Sequence, residues 1–274
     1  MDKRYTYVNG EIVLESEAKL LVTDLAVQRG YGIFDFLKLV NGKPIFIEDY
    51  FNRFYNSAKE MNLNIGLDRS QLHQAIQSLL AKNNMPNSSL KIILTGGYSE
   101  DGYQIAEPNL VIVQAPFKYD YSSFERGLTL LSHNYQRQLA TVKTIDYLQA
   151  IRLQPQLKQK QIDDLLYHHN GEVRECPRAN IFIVKGNEIL TPKTNILRGI
   201  TRSKILITKI EGYTIKEQDF ELADIANADE AFITSSTKNI LPVLSLDGKS
   251  IGDGTPGKIT ATLSQSFLKM IQDY

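Results

Sequence analysis

Val173-Arg174-Glu175-Cys176-Pro177-Arg178-Ala179-Asn180 runs directly into the apolar stretch Ile181-Phe182-Ile183-Val184. Just upstream, Asn170-Gly171 is a pair that favours a tight hairpin turn. The reading is a strand over Asp164–His168, that turn, and a returning strand that carries its apolar run to a second turn at Lys185-Gly186-Asn187. Glu175 then lies within a sheet and among apolar neighbours. An ionised carboxylate in such surroundings is costly unless a cation pairs with it. Spacing alone leaves two readings open: a glutamate on a solvated strand face, or one that faces a buried cation such as a protonated ring nitrogen.

The bulk properties narrow the field. A chain of 274 residues suits two modest domains. Its 31 basic and 31 acidic residues balance, which argues against broad binding to nucleic acid or anionic membranes but permits a local anion site. Cys176 is the only cysteine, so no intrachain disulfide framework or thiolate metal cage is expected, and a reducing cytoplasm fits. Met1-Asp2-Lys3-Arg4-Tyr5 has no apolar leader core, and no apolar run approaches the ~20 residues of a membrane helix. His168 and His169 are adjacent on a strand and point to opposite faces, so they do not chelate a metal together.

In chain order, Tyr5–Val13 reads as a hairpin about Asn9-Gly10, and Asp24–Gly32 as a loop. Ile33–Leu39 and Ile45-Phe46-Ile47 read as a strand pair about Asn41-Gly42-Lys43-Pro44. Helical spacing marks Glu48–Met61 and Asp68–Lys82. Ser89–Thr95 and Asn109–Gln114 are apolar strands separated by the loop Gly96–Pro108. The non-periodic Phe117–Arg126 reads as a linker. Past it come a strand, Leu128–His133, and a helix, Ile145–Lys160, with Tyr147, Leu148, Ile151 and Leu157 on its apolar side and Pro155 as a potential break. Ile189–Pro192, Tyr213–Phe220, Glu230–Thr234 and Val243–Leu246 read as strands. Arg202–Glu211 reads as a helix opened by Thr201 and ended by Gly212, Glu221–Asn227 as a short helix, and Thr260–Ile271 as the closing amphipathic helix. The mixture lacks regular strand–helix alternation, so an α+β class is expected. The expected domains are 1–116 and 127–274, joined by 117–126.

Val-Arg-Glu-x-x-x-Ala-Asn-Ile-Phe-x-Val resembles the core signature of the class IV (fold type IV) pyridoxal-phosphate aminotransferases. That family includes branched-chain and D-amino-acid aminotransferases and aminodeoxychorismate lyases. Further fragments follow the family in order: Tyr7-Val8-Asn9-Gly10, Arg29-Gly30-Tyr31-Gly32-Ile33-Phe34-Asp35, Leu197-Arg198-Gly199-Ile200-Thr201-Arg202, Ala228-Asp229-Glu230-Ala231-Phe232 and Gly254-Thr255-Pro256-Gly257-Lys258-Ile259-Thr260. The resemblance implies an N-terminal α/β domain, a C-terminal pseudo-barrel, the cofactor in the cleft between them, and a homodimer. Lys143, in Lys-Thr-Ile-Asp-Tyr-Leu, would be the Schiff-base lysine and proton shuttle. Tyr147 would donate to the ring oxygen, and Glu175 would keep the pyridine nitrogen protonated. Arg53 would fork the phosphate, joined by the backbone of Ile200 and Thr201 at a helix start and by Ser235 and Ser236. Leu197 would press on the ring. Phe34, Tyr31, Arg29 and Thr237 would border the substrate.

Several positions depart from the family pattern. Tyr50 replaces a His three before Arg53, Asp35 a Glu, Asp146 an Asn and Lys258 a Pro. The loop Gly96–Pro108 has no Arg to hold a substrate carboxylate as D-amino-acid aminotransferases often do, and Ser235-Ser236 stands where the lyases usually show Asn-Ser. The expected activity is amino transfer between a hydrophobic amino acid, branched-chain ones included, and a 2-oxo acid. Pyruvate elimination from aminodeoxychorismate and cofactor binding without turnover are the alternatives.

Overall fold

Turn chemistry sets the first sheet. Asn9 (φ 48°) and Gly10 (φ 100°) both occupy the left-handed region, which these two residues enter most cheaply. They close β1 (Tyr5–Val8) onto β2 (Glu11–Leu14). The computed structural model describes residues 3–118, 120 and 122–274. Met1 and Asp2, part of the leader reading, and Tyr119 and Tyr121, within the expected linker, lie outside the described residues. The chain divides into two units: Met1–Lys118 with Val142–Asp146, and Tyr119–Thr141 with Tyr147–Tyr274.

The first unit continues through α1 (Leu25–Arg29), β3 (Gly32–Val40), β4 (Lys43–Pro44), α2 (Ile47–Glu60), α3 (Arg69–Asn83), β5 (Ser88–Thr95) and β6 (Leu110–Pro116). Its six strands are antiparallel in the order β2-β1-β6-β5-β3-β4. Side chains alternate across a sheet, and here the alternation separates two unlike faces. Ile33, Leu37, Leu90, Ile92 and Leu94 are fully buried on one, where α2 packs on β3 and α3 on β1 and β6. Phe34, Phe36, Lys38 and Ile93 are only half-buried on the other.

Two expectations in this unit give way. Asp24–Gly32 is not wholly loop, because the Asp24 carboxylate accepts from Ala26 N at 2.7 Å and so caps α1, which Gly30 ends at φ 66°. Ile45-Phe46-Ile47 is not a returning strand. β4 stops at Pro44, Phe46 turns the chain at φ 56°, and Ile47 already opens α2. By contrast, α3 starts where its side chains predict, with Asp68 and Gln71 forming a reciprocal capping box.

The second unit comprises α4 (Ser123–Arg126), β7 (Leu128–Asn134), α5 (Leu148–Gln159), β8 (Asp164–His169), β9 (Glu172–Val173), β10 (Glu175–Cys176), β11 (Ala179–Lys185), β12 (Glu188–Thr191), α6 (Ile200–Leu206), β13 (Thr214–Glu217), α7 (Leu222–Ala226), β14 (Glu230–Ser235), β15 (Asn239–Leu246), β16 (Lys249–Ser250) and α8 (Lys258–Gln272). Its main sheet runs β13-β12-β11-β14-β15-β7-β8-β9, with β10 on β11 and β16 on β15. Leu130, Leu166, Ile181, Ile183 and Ile233 anchor its core. The mixed architecture is the α+β class expected.

The helix expected over Ile145–Lys160 begins only at Leu148. Thr144 and Ile145 instead extend the first unit's sheet: Thr144 bridges Ile33, and Ile145 N donates to Gly32 O at 3.1 Å. Pro155 sits inside α5 without ending it. The helix has two apolar stripes, and Leu153 with Leu157 wins the core against Leu165 and Tyr167. Leu148 and Ile151 of the expected apolar side are 73% and 61% exposed. α6 starts before Thr201, which lies buried inside it behind Gly199, and stops well short of Gly212. The strand carrying Glu175 is not continuous. It doubles back through Pro177-Arg178, pairing Glu175 with Asn180 and Cys176 with Ala179.

Two of the sequence fragments form one helix cap. The Glu230 carboxylate accepts from Ile259 N (3.0 Å), Thr260 N (2.8 Å) and Thr260 Oγ1 (2.7 Å), which satisfies donors at the start of α8. A Cβ on Gly257 would overlap that carboxylate. Gly257→Ala is therefore expected to displace Glu230 and cost about 1–3 kcal/mol. An unchanged denaturation midpoint would show that the cap contributes nothing.

Candidate active site

In the second unit the chemistry gathers around Glu175. The residue is 5% exposed, so the solvated-face reading fails. The cation facing it within this unit is Arg137, whose Nε donates to Glu175 Oε1 at 2.9 Å. Arg137 also donates through Nη2 to Ala140 O. The other oxygen, Oε2, accepts from Leu197 N at 3.0 Å and from Asn180 Nδ2 at 3.5 Å. Burying this charge is thus offset by an opposite charge and two further donors.

Asn180 ties the next segment to the same point. Its Nδ2 donates to Leu197 O at 2.7 Å, and its Oδ1 accepts from Gly199 N at 3.2 Å. A Cβ on Gly199 would collide with that oxygen, so the glycine is what lets the start of α6 close on β11. Ile200 and Thr201 are buried at that helix start. Arg202, although part of the same fragment, is structural: 2% exposed, it reaches Thr191 Oγ1, Pro192 O and Glu217 Oε1.

α6 packs on β14, whose end supplies the serines. Ser235 is buried, and its Oγ accepts from Lys238 N at 3.0 Å and lies 3.4 Å from Thr237 Oγ1. Ser236 and Thr237 form the turn into β15, half-buried and exposed respectively. Thr234 stands directly opposite Asn180 in the β11–β14 register and so shares its face. Its buried Oγ1 has no hydrogen-bond partner. Tyr147 sits at the start of α5 and lines a cavity of about 550 Å³ with Asp164, Pro177 and Arg178.

In the first unit, Lys143 is held on a strand edge. Its carbonyl accepts from Phe34 N at 3.0 Å, its N–H donates to Ser57 Oγ at 3.3 Å, and its Nζ lies 4.5 Å from the centre of the Phe34 ring. Arg53, expected on a phosphate, makes a two-pronged pair with Asp35: Nε to Oδ2 at 3.0 Å and Nη2 to Oδ1 at 2.6 Å. Asp35 is fully buried. The pair engages two of the five N–H donors of the guanidinium. Tyr31 spends its hydroxyl on Met61 O at 2.6 Å, and Arg29 is exposed on α1, with Nη1 on Gln28 O.

Lys38 lies on the half-covered face over Phe117, 5.8 Å from its ring centre, and burial pushes its ammonium down to about 8. Below that pH both folded and unfolded chains carry the charge, and the folded one bears the cost of burying it. Between about 8 and the ordinary 10.5, the folded chain has shed a proton that the unfolded chain keeps, so stability rises with pH. Lys38→Met should therefore be most stable relative to wild type near neutrality. That advantage should shrink across this window, by roughly 3 kcal/mol at most. Paired thermal melts that run parallel across the window would contradict this.

A model of the family described as amino-transferase class IV matches residues 32–246. This chain belongs to the class IV aminotransferases. The D-alanine aminotransferase of Staphylococcus haemolyticus is 29% identical, covering 97% of each chain. The Escherichia coli branched-chain amino acid aminotransferase covers 98% of this chain and 95% of its own with a TM-score of 0.92 at 23% identity. The branched-chain aminotransferase of the thermophilic archaeon Thermoproteus uzoniensis, solved with norvaline, also covers 98% and 95%, with a TM-score of 0.88 at 23% identity. The shared architecture is fold type IV, as expected.

Class IV aminotransferases use pyridoxal phosphate, and the second unit of this aminotransferase fits such a group chemically. Glu175 offers a buried carboxylate suited to a protonated ring nitrogen, and the orphaned Thr234 hydroxyl offers a polar atom on the same face. Three members of this constellation were not picked out from the sequence. Asn180 lay in plain view within the signature. Thr234 could have been found by strand parity once its partner strand was known. Arg137 carried no local signal, because its meaning depends on a contact across 38 residues. No group of three or more potential metal ligands occurs among the described residues, and no helix among them is long and apolar enough to cross a membrane.

Proposed function

We propose that this aminotransferase takes its amino group from a hydrophobic amino acid and passes it to a 2-oxo acid, with Lys143 as the cofactor lysine. The observation that carries this reading is the setting of Lys143. Its backbone is fixed through both its N–H and its carbonyl while its amine rests against Phe34, so an amine is presented from a rigid edge. Bound pyridoxal phosphate supplies an electron sink for the carbanion at the substrate Cα. Lys143 would hold the cofactor through its amine and would carry the proton at the substrate Cα. Glu175, itself oriented by Arg137 and Asn180, holds the proton on the ring nitrogen. Tyr147 donates to the ring oxygen, and Leu197 covers the ring. The N–H groups of Ile200 and Thr201, Ser236 with the backbone of Ser235, and Arg53 receive the phosphate. Thr237 and Phe34 border the substrate, with Arg29 and Tyr31 on the segment leading into Phe34.

The D-alanine aminotransferase relatives support a second reading of the donor, a D- rather than an L-amino acid. We further infer a homodimer, in keeping with the exposed Leu148 and Ile151, and a reducing cytoplasmic setting, in keeping with the lone buried Cys176. Borohydride reduction of cofactor-loaded protein, followed by peptide mapping, should place a pyridoxyl group on Lys143. Label on another lysine would refute the assignment. Initial rates over enantiomeric donor pairs, with pyruvate and 2-oxoglutarate as acceptors, then decide the donor. Preference for aspartate or lysine would overturn the hydrophobic reading.

A further inference from the structure

One carboxylate lies on a core face of the second unit. Asp164 opens β8 and stands opposite Leu130 in the β7–β8 register, on the same face as Leu166. Both leucines belong to the unit's core. A carboxylate there adds nothing to apolar packing and is costly unless it is paired. Asp164 is 5% exposed. Its Oδ1 accepts from Leu165 N at 3.0 Å, and its Oδ2 accepts from Lys238 Nζ at 3.3 Å.

Lys238 comes from a distant part of the sheet. Ser235 pairs with Asn239 where β14 meets β15, and Asn239 (φ 57°) closes the turn Ser236-Thr237-Lys238. Inside this turn, Ser235 Oγ accepts from Lys238 N at 3.0 Å and lies 3.4 Å from Thr237 Oγ1. These bonds are local: they shape the turn without fixing its tip against the rest of the unit. β7 stands between β15 and β8 in the sheet, so the ion pair joins the turn to a strand that neither β14 nor β15 borders. The same point adjoins the strand of Glu175. β10 packs on β8, and burial pushes the Cys176 thiol up, with Asp164 adding to the rise and Lys238 opposing it. A long side chain gives up rotamer freedom to make such a bond.

We propose that the Asp164–Lys238 pair is a tether that positions the Ser235–Thr237 turn, so that Ser236 and the Ser235 backbone meet the cofactor phosphate in one fixed place relative to Glu175. Both are positioning residues, acting through the turn and not on the phosphate itself. This rests on the reading of that turn as part of the phosphate site.

The test titrates cofactor-free, full-length protein with pyridoxal 5'-phosphate and with pyridoxal, following cofactor absorbance. The ratio of the two dissociation constants measures what the phosphate contributes. Lys238→Met and Asp164→Leu should each lower that ratio by about tenfold. The double variant leaves neither charge buried alone, and it should lower the ratio by about the same factor, since a single tether is lost in all three. Lys238→Arg keeps the pair and should stay within about threefold of wild type. The tether is overturned if both ligands weaken in parallel, as a merely structural pair would require, if neither weakens, or if the double variant shows the product of the two single losses. A ratio that rises in Asp164→Leu would also overturn it, because Lys238 would then act on the phosphate through its own charge. Wild-type protein that binds pyridoxal as tightly as its phosphate would instead defeat the reading of the turn as a phosphate site.

Discussion

Replacing Lys143 with alanine is expected to reduce amino transfer by about 10³-fold or more, because under the proposed assignment one side chain would both hold the cofactor and carry the proton at Cα. The fold should tolerate the change. The contacts that hold this segment to β3 and α2 use the segment's own backbone atoms: Lys143 O accepts from Phe34 N, Ile145 N donates to Gly32 O, and Lys143 N donates to Ser57 Oγ. Lys143→Arg tests the same point from the other side, since it keeps a positive charge over Phe34 but lacks a readily deprotonated amine. Both variants should unfold within about 1 kcal/mol of wild type. Single-turnover absorbance changes with an amino donor provide the rate. Turnover of Lys143→Ala within about tenfold of wild type would remove the residue from the chemistry.

The largest stability effect is expected at Arg53. Removing one partner of a buried ion pair leaves the other charge uncompensated, a loss of about 3–5 kcal/mol. Arg53→Ala does this to Asp35, which has no exposed surface and directs both carboxylate oxygens at the guanidinium. The proposed phosphate contact would disappear at the same time, so weak cofactor binding in this variant would be ambiguous on its own. The double variant Asp35→Asn/Arg53→Ala separates the effects. It should recover much of the stability, since the bare charge is gone, yet bind cofactor as poorly as Arg53→Ala. Recovery of both properties together would make Arg53 a purely structural residue.

The features that were legible in the sequence are those written in neighbouring residues. Asn9-Gly10 and Asn170-Gly171 specify their turns through backbone preference, and Asp68 with Gln71 marks the start of α3 within four positions. Errors arose where a distant partner outweighed local pattern. Ile145 fits a helical period with the residues after it, but β3 offers an open edge, and backbone pairing there takes precedence. Ile45-Phe46-Ile47 is apolar and β-prone, yet the left-handed turn at Phe46 commits the chain to α2. At the candidate site, residue types such as Lys143 and Glu175 could be singled out by resemblance. Arg137, which pairs with Glu175, could not, because it matters only through a contact made by folding.

The annexed segment Val142–Asp146 has a consequence for synthesis. The chain emerges from the N-terminus onward, and residues 1–118 hold every strand of the first sheet. The edge of β3 at Gly32–Phe34 nevertheless stays open until residue 145 has been added. At ordinary translation speeds the nascent first unit waits on the order of seconds in that state. An exposed strand edge is a template for pairing with another chain. A recombinant fragment ending at Lys118 would remain in that state permanently, exposing the edge and lacking Lys143 altogether.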